Sequence, residues 1–237
     1  MAKKLAFADL IIWEDDDYAV INKPPFISTL QDRNIDYNIL SLAKIYNSDA
    51  QVGHRLDKET SGVLIVAKNP EAYRHISMQF EHRAVIKEYH AVVDGIHSFK
   101  EKFANDKILQ LSNGSVRIDR KGKEAETVFN TLRVYSNHSL VQCRPVTGRM
   151  HQIRIHLAKN EAPITGDERY GGKPFYLSSV KRGYRTGKWD EEQPLIKRLA
   201  LHASSIMFKT LNDTVKKVMA DHPKDFRVLL LQLEKNS

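Results

Sequence analysis

The sequence predicts a mixed α/β fold (α+β) in one domain over residues 1–237, and three observations predict it. Strand-like and helix-like runs are both present along the chain, and a large single core can hold them together. The composition is that of an ordinary globular protein: 237 residues, 41% hydrophobic and 28% charged, with only 11 Gly and 8 Pro, which excludes disordered, collagen-like and low-complexity chains. No internal repeat appears, and no linker is long enough to cut the chain into independent domains, so the sheet forms at most two lobes of one domain.

The elements follow in order. Residues 10–14 and 18–22 are apolar, β-branched runs around Asp15-Asp16-Asp17, the pattern of a hairpin with a solvated acidic turn. Lys23-Pro24-Pro25 ends the second strand, since two prolines remove ladder donors and fix the backbone. Residues 63–67 are another strand. Asn69 can then cap a helix, Pro70 suits its first position and Glu71 favours its positive end, so the spacing predicts a helix over 70–81 with Ala72, Ile76 and Phe80 as the buried stripe. Residues 87–93 alternate, with Tyr89, Ala91 and Val93 on one face of a strand. The segment 96–123 is irregular, with a turn at Ser112-Asn113-Gly114 and a basic cluster of Arg117, Arg120, Lys121 and Lys123.

Residues 127–134 and 139–144 return to strand alternation. Thr147-Gly148 opens a helix predicted over 149–159, in which Met150, Ile153 and Leu157 share one face and His151, Arg154 and Ala158 another, so that Arg154 leaves the helix toward a site rather than the core. The stretch 173–197 carries Tyr176, Lys181, Arg182, Tyr184, Arg185, Lys188 and Trp189 without an organising period. Residues 199–208 are a strand candidate, 215–220 pair nearby, and 225–233 form a closing helix after Pro223.

Composition also bounds function. The longest runs without a charged side chain, such as 199–208, reach 10 residues, far short of the roughly 20 that span a bilayer. Met1-Ala2-Lys3-Lys4 is followed by Asp9 and Glu14 rather than by an apolar segment, so no secretory leader is expected and the chain is placed in the cytoplasm. The single cysteine, Cys143, closes no intramolecular disulfide and supplies no Cys-x-x-Cys half-site, which excludes zinc fingers and zinc-dependent base deaminases. With 37 Lys+Arg against 29 Asp+Glu the formal charge is +8, which favours an acidic partner such as nucleic acid over a merely lysine-rich surface.

Two segments hold polar residues that packing does not require. The first is His54-Arg55-Leu56-Asp57-Lys58-Glu59-Thr60-Ser61-Gly62, at the head of the 63–67 strand, where functional loops tend to sit. Taken alone, an aspartate here reads as a turn residue or half of a surface ion pair rather than as a functional group. The second runs from Arg144-Pro145 through Thr147-Gly148-Arg149-Met150-His151-Gln152-Ile153-Arg154-Ile155-His156, and its density of Arg, His and Gln argues for a ligand-facing surface. A metal site of His151, His156 and Asp167 is the weaker alternative, because two histidines five apart on a helix diverge.

On these residues the chain resembles the RluA-like family of RNA pseudouridine synthases. His54-Arg55-Leu56-Asp57 with Thr60-Ser61-Gly62 looks like that family's catalytic motif, and Thr147 to Arg154 like its later helical motif. Supporting likenesses lie at Asp16-Asp17-Tyr18-Ala19-Val20-Ile21-Asn22-Lys23-Pro24, in the 87–89 strand, at Gly166-Asp167-Glu168-Arg169-Tyr170-Gly171, and at Arg198-Leu199-Ala200-Leu201-His202-Ala203. Ordered motifs over nearly the whole chain are far more specific than any one of them.

The resemblance implies a pseudouridine synthase fold, a mostly antiparallel mixed sheet with flanking helices and a central cleft, with insertions near 96–123 and 173–197. It implies an isomerase acting on uridine in ribosomal or transfer RNA, by breaking the glycosidic carbon–nitrogen bond and rejoining the base through carbon 5. It assigns Asp57 as the catalytic aspartate, Arg154 as its basic partner, and Tyr89 as the tyrosine that packs on the target base with a part in proton transfer. Arg55 fills the space left by the extruded uridine. Leu201 is an apolar wall of the uracil pocket, with Leu199 competing, and His54, Thr60 and Arg149 complete the substrate-binding set. No metal and no other cofactor is implied.

The chemistry agrees with those roles. A carboxylate is a competent nucleophile without redox chemistry, and an aspartate in water, with a pKa near ~3.9, is ionised at neutral pH. Burial under a flipped base raises its proton affinity, so a cation must face it, and an arginine fork suits a bidentate carboxylate contact. Extruding a base costs a few kcal/mol, which a gap-filling side chain offsets. On residue type alone, Arg154 reads equally as a surface cation and Tyr89 as a half-buried sheet residue.

Lys23, the 117–123 group and the 181–188 group are candidates for phosphate contacts, with Tyr184 and Trp189 available to stack on unpaired bases; solvated surface is the other reading. Many relatives carry a small RNA-binding domain ahead of the catalytic one, whereas here the first motif begins almost at once, so substrate choice is expected from the catalytic domain or from other factors. A monomer without membrane or disulfide-linked partners is expected. Two other classes compete: a catalytically idle RNA-binding or ribosome-assembly module, and a metal-dependent phosphoesterase that a chelator would silence.

Overall fold

A computed structural model describes residues 5–31, 37–112, 114–181, 183–184 and 191–237. Along the chain these form β1 (Ile11–Glu14), β2 (Tyr18–Lys23), α1 (Ile39–Tyr46), β3 (Gln51–Val52), β4 (Ser61–Ala67), α2 (Pro70–Glu81), β5 (Ile86–Asp94) and β6 (Lys102–Asn105). They continue as β7 (Ile108–Gln110), β8 (Val116–Ile118), β9 (Glu126–Val134), β10 (His138–Pro145), α3 (Gln152–Lys159), β11 (Leu201–Lys209), β12 (Val215–Met219) and α4 (Lys224–Lys235). The chain divides into two compact units, Met1–Glu88 with His202–Asp221, and Tyr89–Leu201 with His222–Ser237.

In the first unit β1, β2, β4 and β11 are neighbours in that order, β12 pairs with β11, and β3 pairs with β4. These pairs are antiparallel except β4 with β11, which run parallel at His202↔Ser61 and Ala203↔Gly62. All seven residues of β4 are buried, the pattern of a central strand covered on both faces. Helix α2 begins and ends where the sequence predicts, with the Asn69 side chain accepting from Ala72 N–H and Pro70 in the first turn. Its Ala72 and Ile76 are buried, and Phe80 is half-buried beneath the His54 ring.

In the second unit β5, β10, β9 and β6 form an antiparallel sheet, and β7 with β8 makes a separate hairpin. Ile153 and Leu157 of α3, and Phe226, Leu229 and Leu233 of α4, pack with Val93, Phe129 and Val141 into one core.

Three local expectations need correction. Helix α3 starts at Gln152, not at 149, because His151 adopts a left-handed φ of 53° and the buried Gln152 side chain ties the entry to β9. Its carboxamide oxygen accepts from the Thr147 hydroxyl at 2.7 Å, and its NH2 donates to Glu126 O and to Thr127 Oγ1, both at 2.9 Å. The segment 96–123, read as irregular, holds β6, β7 and β8, strands of three or four residues that are too short to display a period. The last long strand starts at Leu201 rather than 199, because Arg198 gathers the carbonyls of Leu199 and Leu201 onto one nitrogen, at 3.2 and 3.1 Å, and bends the chain there.

Candidate active site

The loop bearing Asp57 lies in the first unit and is clamped from both sides. On one side the buried Thr29 hydroxyl donates to Leu56 O at 2.9 Å and accepts from Leu56 N–H at 3.1 Å. On the other, Lys58 O accepts from Phe26 N–H at 2.8 Å and from Lys23 Nζ at 3.2 Å. Thr60 N–H donates to Asp57 O at 3.0 Å, so Asp57 heads a tight turn, and its side chain is half-buried.

Lys23, a candidate for a phosphate contact or for solvated surface, is buried instead. Its side chain is fully buried and also donates to Pro24 O and Ile27 O, each at 2.9 Å, because an ammonium away from water needs acceptors on all three N–H groups.

The end of the loop is pinned to β11. His202 Nε2 lies 3.1 Å from Ala220 O, and a carbonyl only accepts, so Nε2 donates to it; His202 Nδ1 lies 3.0 Å from the Ser61 hydroxyl. Gly62, at φ +115°, passes so close to β11 that any Cβ would collide with the main-chain oxygen of Ala203. Thr60 is buried and Arg55 exposed. His54 is packed on Phe80 with ring centroids 5.0 Å apart, its Nε2 accepts from Ile65 N–H at 3.3 Å, and burial together with the Lys87 charge pulls its pKa down to about 3.

Tyr89, Arg149, Arg154 and Leu201 lie in the second unit. Tyr89 sits opposite Cys143 in the β5–β10 ladder and packs against the core that contains Leu199 and Leu201, both buried. Leu201 is held by Arg198, whose fully buried guanidinium also pairs with Asp225 of α4 at 2.7 and 3.1 Å. Burial pushes the Asp225 carboxyl up, and the hydrogen bond and charge of Arg198 outweigh it, leaving its pKa below the ordinary range. Arg149 is exposed and donates through Nε to Glu124 O at 3.0 Å.

Arg154 is 7% exposed, and Asp167, 2% exposed, receives its Nε–H at 2.6 Å and an Nη2–H at 2.7 Å in a bidentate pair. The Tyr170 ring lies against the guanidinium, 5.0 Å from Cζ to the centroid. Sequence reasoning placed Asp167 and Tyr170 in a supporting motif without linking them to Arg154. The signal available was a carboxylate between Gly166 and Gly171, shortly after the apolar run Ala162-Pro163-Ile164, which demands a cation once buried. Lys23 and Thr29 had no such signal.

The alternative metal set is not assembled. His151 Nδ1 is 2.8 Å from the Tyr170 hydroxyl, His156 Nδ1 is 3.0 Å from Thr127 Oγ1, and Asp167 holds Arg154. Among the described residues no three His, Cys, Asp or Glu side chains are grouped to hold a metal ion, and no helix is long and apolar enough to cross a membrane. Of the basic groups, Arg120, Lys121 and Lys123 are exposed beyond β8, and Arg117 pairs with Asp119 at 2.7 Å. Lys181 is exposed, whereas Arg182, Arg185, Lys188 and Trp189 lie outside the described residues.

This fold is that of pseudouridylate synthases. It superposes on human RNA pseudouridylate synthase domain containing 4 with a TM-score of 0.72 at 23% identity, covering 96% of this chain and 94% of that one. With human RNA pseudouridylate synthase domain containing 1 the TM-score is 0.68 at 24% identity, covering 93% and 86%. Residues 17–159 match the RNA pseudouridylate synthase family, and the chain belongs to it. It is 35% identical over 204 residues to ribosomal large subunit pseudouridine synthase C of Vibrio vulnificus (strain CMCP6), covering 84% of this chain and 61% of the relative. The Escherichia coli (strain K12) protein of the same name is 34% identical over 216 residues, covering 88% and 64%. The chain therefore spans less than two thirds of the length of these relatives.

Proposed function

We propose that this protein is an RNA pseudouridine synthase that converts uridine to pseudouridine in ribosomal RNA of the large subunit, in the cytoplasm. One observation carries the reading: the family match over residues 17–159 includes both the clamped Asp57 loop and the Arg154 helix. The names of the curated relatives favour large-subunit ribosomal RNA over transfer RNA.

In this reading the target uridine is extruded from its stack, and Arg55, exposed beside the loop, occupies the vacated space. Asp57 supplies the anionic group that cleavage of the bond between ribose C1′ and uracil N1 requires. The uracil turns, C1′ joins C5, the C5 proton leaves and N1 takes up a proton, so the product is an isomer and no electrons are exchanged. Arg154 is taken as the basic partner of the aspartate, Tyr89 packs on the base and moves a proton, and Leu201 walls the pocket. His54, as a neutral ring, Thr60 and Arg149 complete the substrate-binding set.

Phosphate contacts are assigned to Arg120, Lys121 and Lys123 at the end of the β7–β8 hairpin. The test is chemical mapping of pseudouridine in large-subunit ribosomal RNA from cells with and without the gene. At least one uridine modified only when the gene is present is the expected result, and identical maps, in ribosomal and transfer RNA alike, would refute the reading.

A further inference from the structure

A buried guanidinium carries five N–H donors and a full charge, so its orientation is set by whatever holds it. Around Arg154 the holders come from one turn. Tyr170 N–H and Gly172 N–H both donate to Asp167 O, at 3.0 and 2.9 Å, and Gly166 and Gly171 at φ +78° and +89° let the chain double back. That turn presents the Asp167 carboxylate to Nε and Nη2, and the face of the Tyr170 ring to the guanidinium carbon. The ring is itself fixed twice: its hydroxyl meets His151 Nδ1 at 2.8 Å, and its body packs on the small cluster of Ile108, Val116, Ala125 and Ile155 at the base of the β7–β8 hairpin. Ile153 and Leu157 anchor α3 in the large core, and the cluster under Tyr170 adds Ile155 of the same helix. A two-point carboxylate contact fixes rotation within the guanidinium plane, and an aromatic face fixes the plane.

We propose that Asp167 and Tyr170 are positioning residues for Arg154, fixing its guanidinium for the reaction at Asp57. The inference rests on the assignment of Arg154 as the partner of Asp57 in the proposed function. A displacement of about 1 Å at such a group costs about 100-fold in rate. Asp167→Asn, which keeps the shape and loses the anion, is therefore expected to slow single-turnover release of tritium from uracil C5 by about 100-fold, and Tyr170→Leu by about tenfold. RNA affinity should stay within about twofold of wild type, because the change acts after binding.

The assay uses the full chain and C5-tritiated RNA from cells lacking the gene, with affinity and melting temperature measured on the same samples. Both residues act through Arg154, so Tyr170→Leu should add less than about twofold to the defect of Arg154→Lys. A merely structural role predicts the opposite: a tenfold cost that recurs in the Arg154→Lys background, with affinity and melting temperature falling together. That result, or wild-type rates in the single variants, overturns the inference. Should Asp167→Asn fail to fold, Tyr170→Leu and the double variant decide. A wild-type protein that releases no tritium from any RNA, or an Asp57→Asn variant as fast as wild type, is a failure of the proposed function, and this inference falls with it. An active wild type, an inactive Asp57→Asn and an unaffected Tyr170→Leu are a failure of this inference alone.

Discussion

The Thr29 hydroxyl is bonded to both main-chain groups of Leu56, donating to its carbonyl at 2.9 Å and accepting from its N–H at 3.1 Å. One buried side chain, 27 residues upstream, thereby fixes the backbone immediately before Asp57. Thr29→Val keeps the volume and leaves both Leu56 groups without that partner, at a cost of about 2 kcal/mol. Urea unfolding should show that loss, and C5 tritium release should slow more than RNA binding weakens. Unchanged stability would mean that the loop is held otherwise.

That relationship marks the limit of what the sequence discloses. Signals that act within one turn are legible: Asn69 and Pro70 start α2 at the expected residue, and the Asp15-Asp16-Asp17 triplet turns the first hairpin. Polar pairs between distant residues are not. Nothing in the string links Ser61 to His202, Arg154 to Asp167, or Lys23 to Lys58, so Lys23 looked like a surface cation although it is buried under the loop. Gln152 is the intermediate case. Its motif was conspicuous, but its side chain bonds Thr147, Glu126 and Thr127 inside the fold, and that bonding delays the helix by three residues.

Acid should destabilise the protein through His54. Its imidazole is held down to about 3 by burial and by Lys87, whereas in the unfolded chain a histidine titrates near ~6.5. Between those values the unfolded state binds a proton that the folded state does not, so stability rises with pH across the window and falls as pH drops from about 6.5 toward 3. Melting temperature measured from pH 7 to pH 4 should therefore decline more steeply for wild type than for His54→Phe. Parallel curves would contradict the assignment.

The pair between Arg198 and Asp225 ties the segment 199–201 to α4, and with it Leu201. Arg198→Met removes the guanidinium from Asp225 and from the Leu199 and Leu201 carbonyls and should lower stability by about 3 kcal/mol in urea unfolding. Asp225 contributes in the same direction. Its pKa is held below the ordinary range, so its stabilisation is present above about pH 4 and fades as pH falls through the folded value, a decline that Asp225→Asn should reduce.

Arg120, Lys121 and Lys123 are exposed together after β8. If they meet phosphates, replacing all three by Glu should weaken RNA binding and lower the slope of log affinity against log salt by about 2. Filter binding over a salt series measures both, and an unchanged slope would remove the hairpin from the RNA interface.

The central claim is that the Asp57 carboxylate carries the isomerisation. The most direct test is tritium release from C5-labelled large-subunit ribosomal RNA by the wild-type chain and by Asp57→Asn, a near-isosteric change. The account predicts stoichiometric release by the wild type and none by the variant, with both binding the RNA equally. Release by Asp57→Asn at the wild-type rate would contradict it.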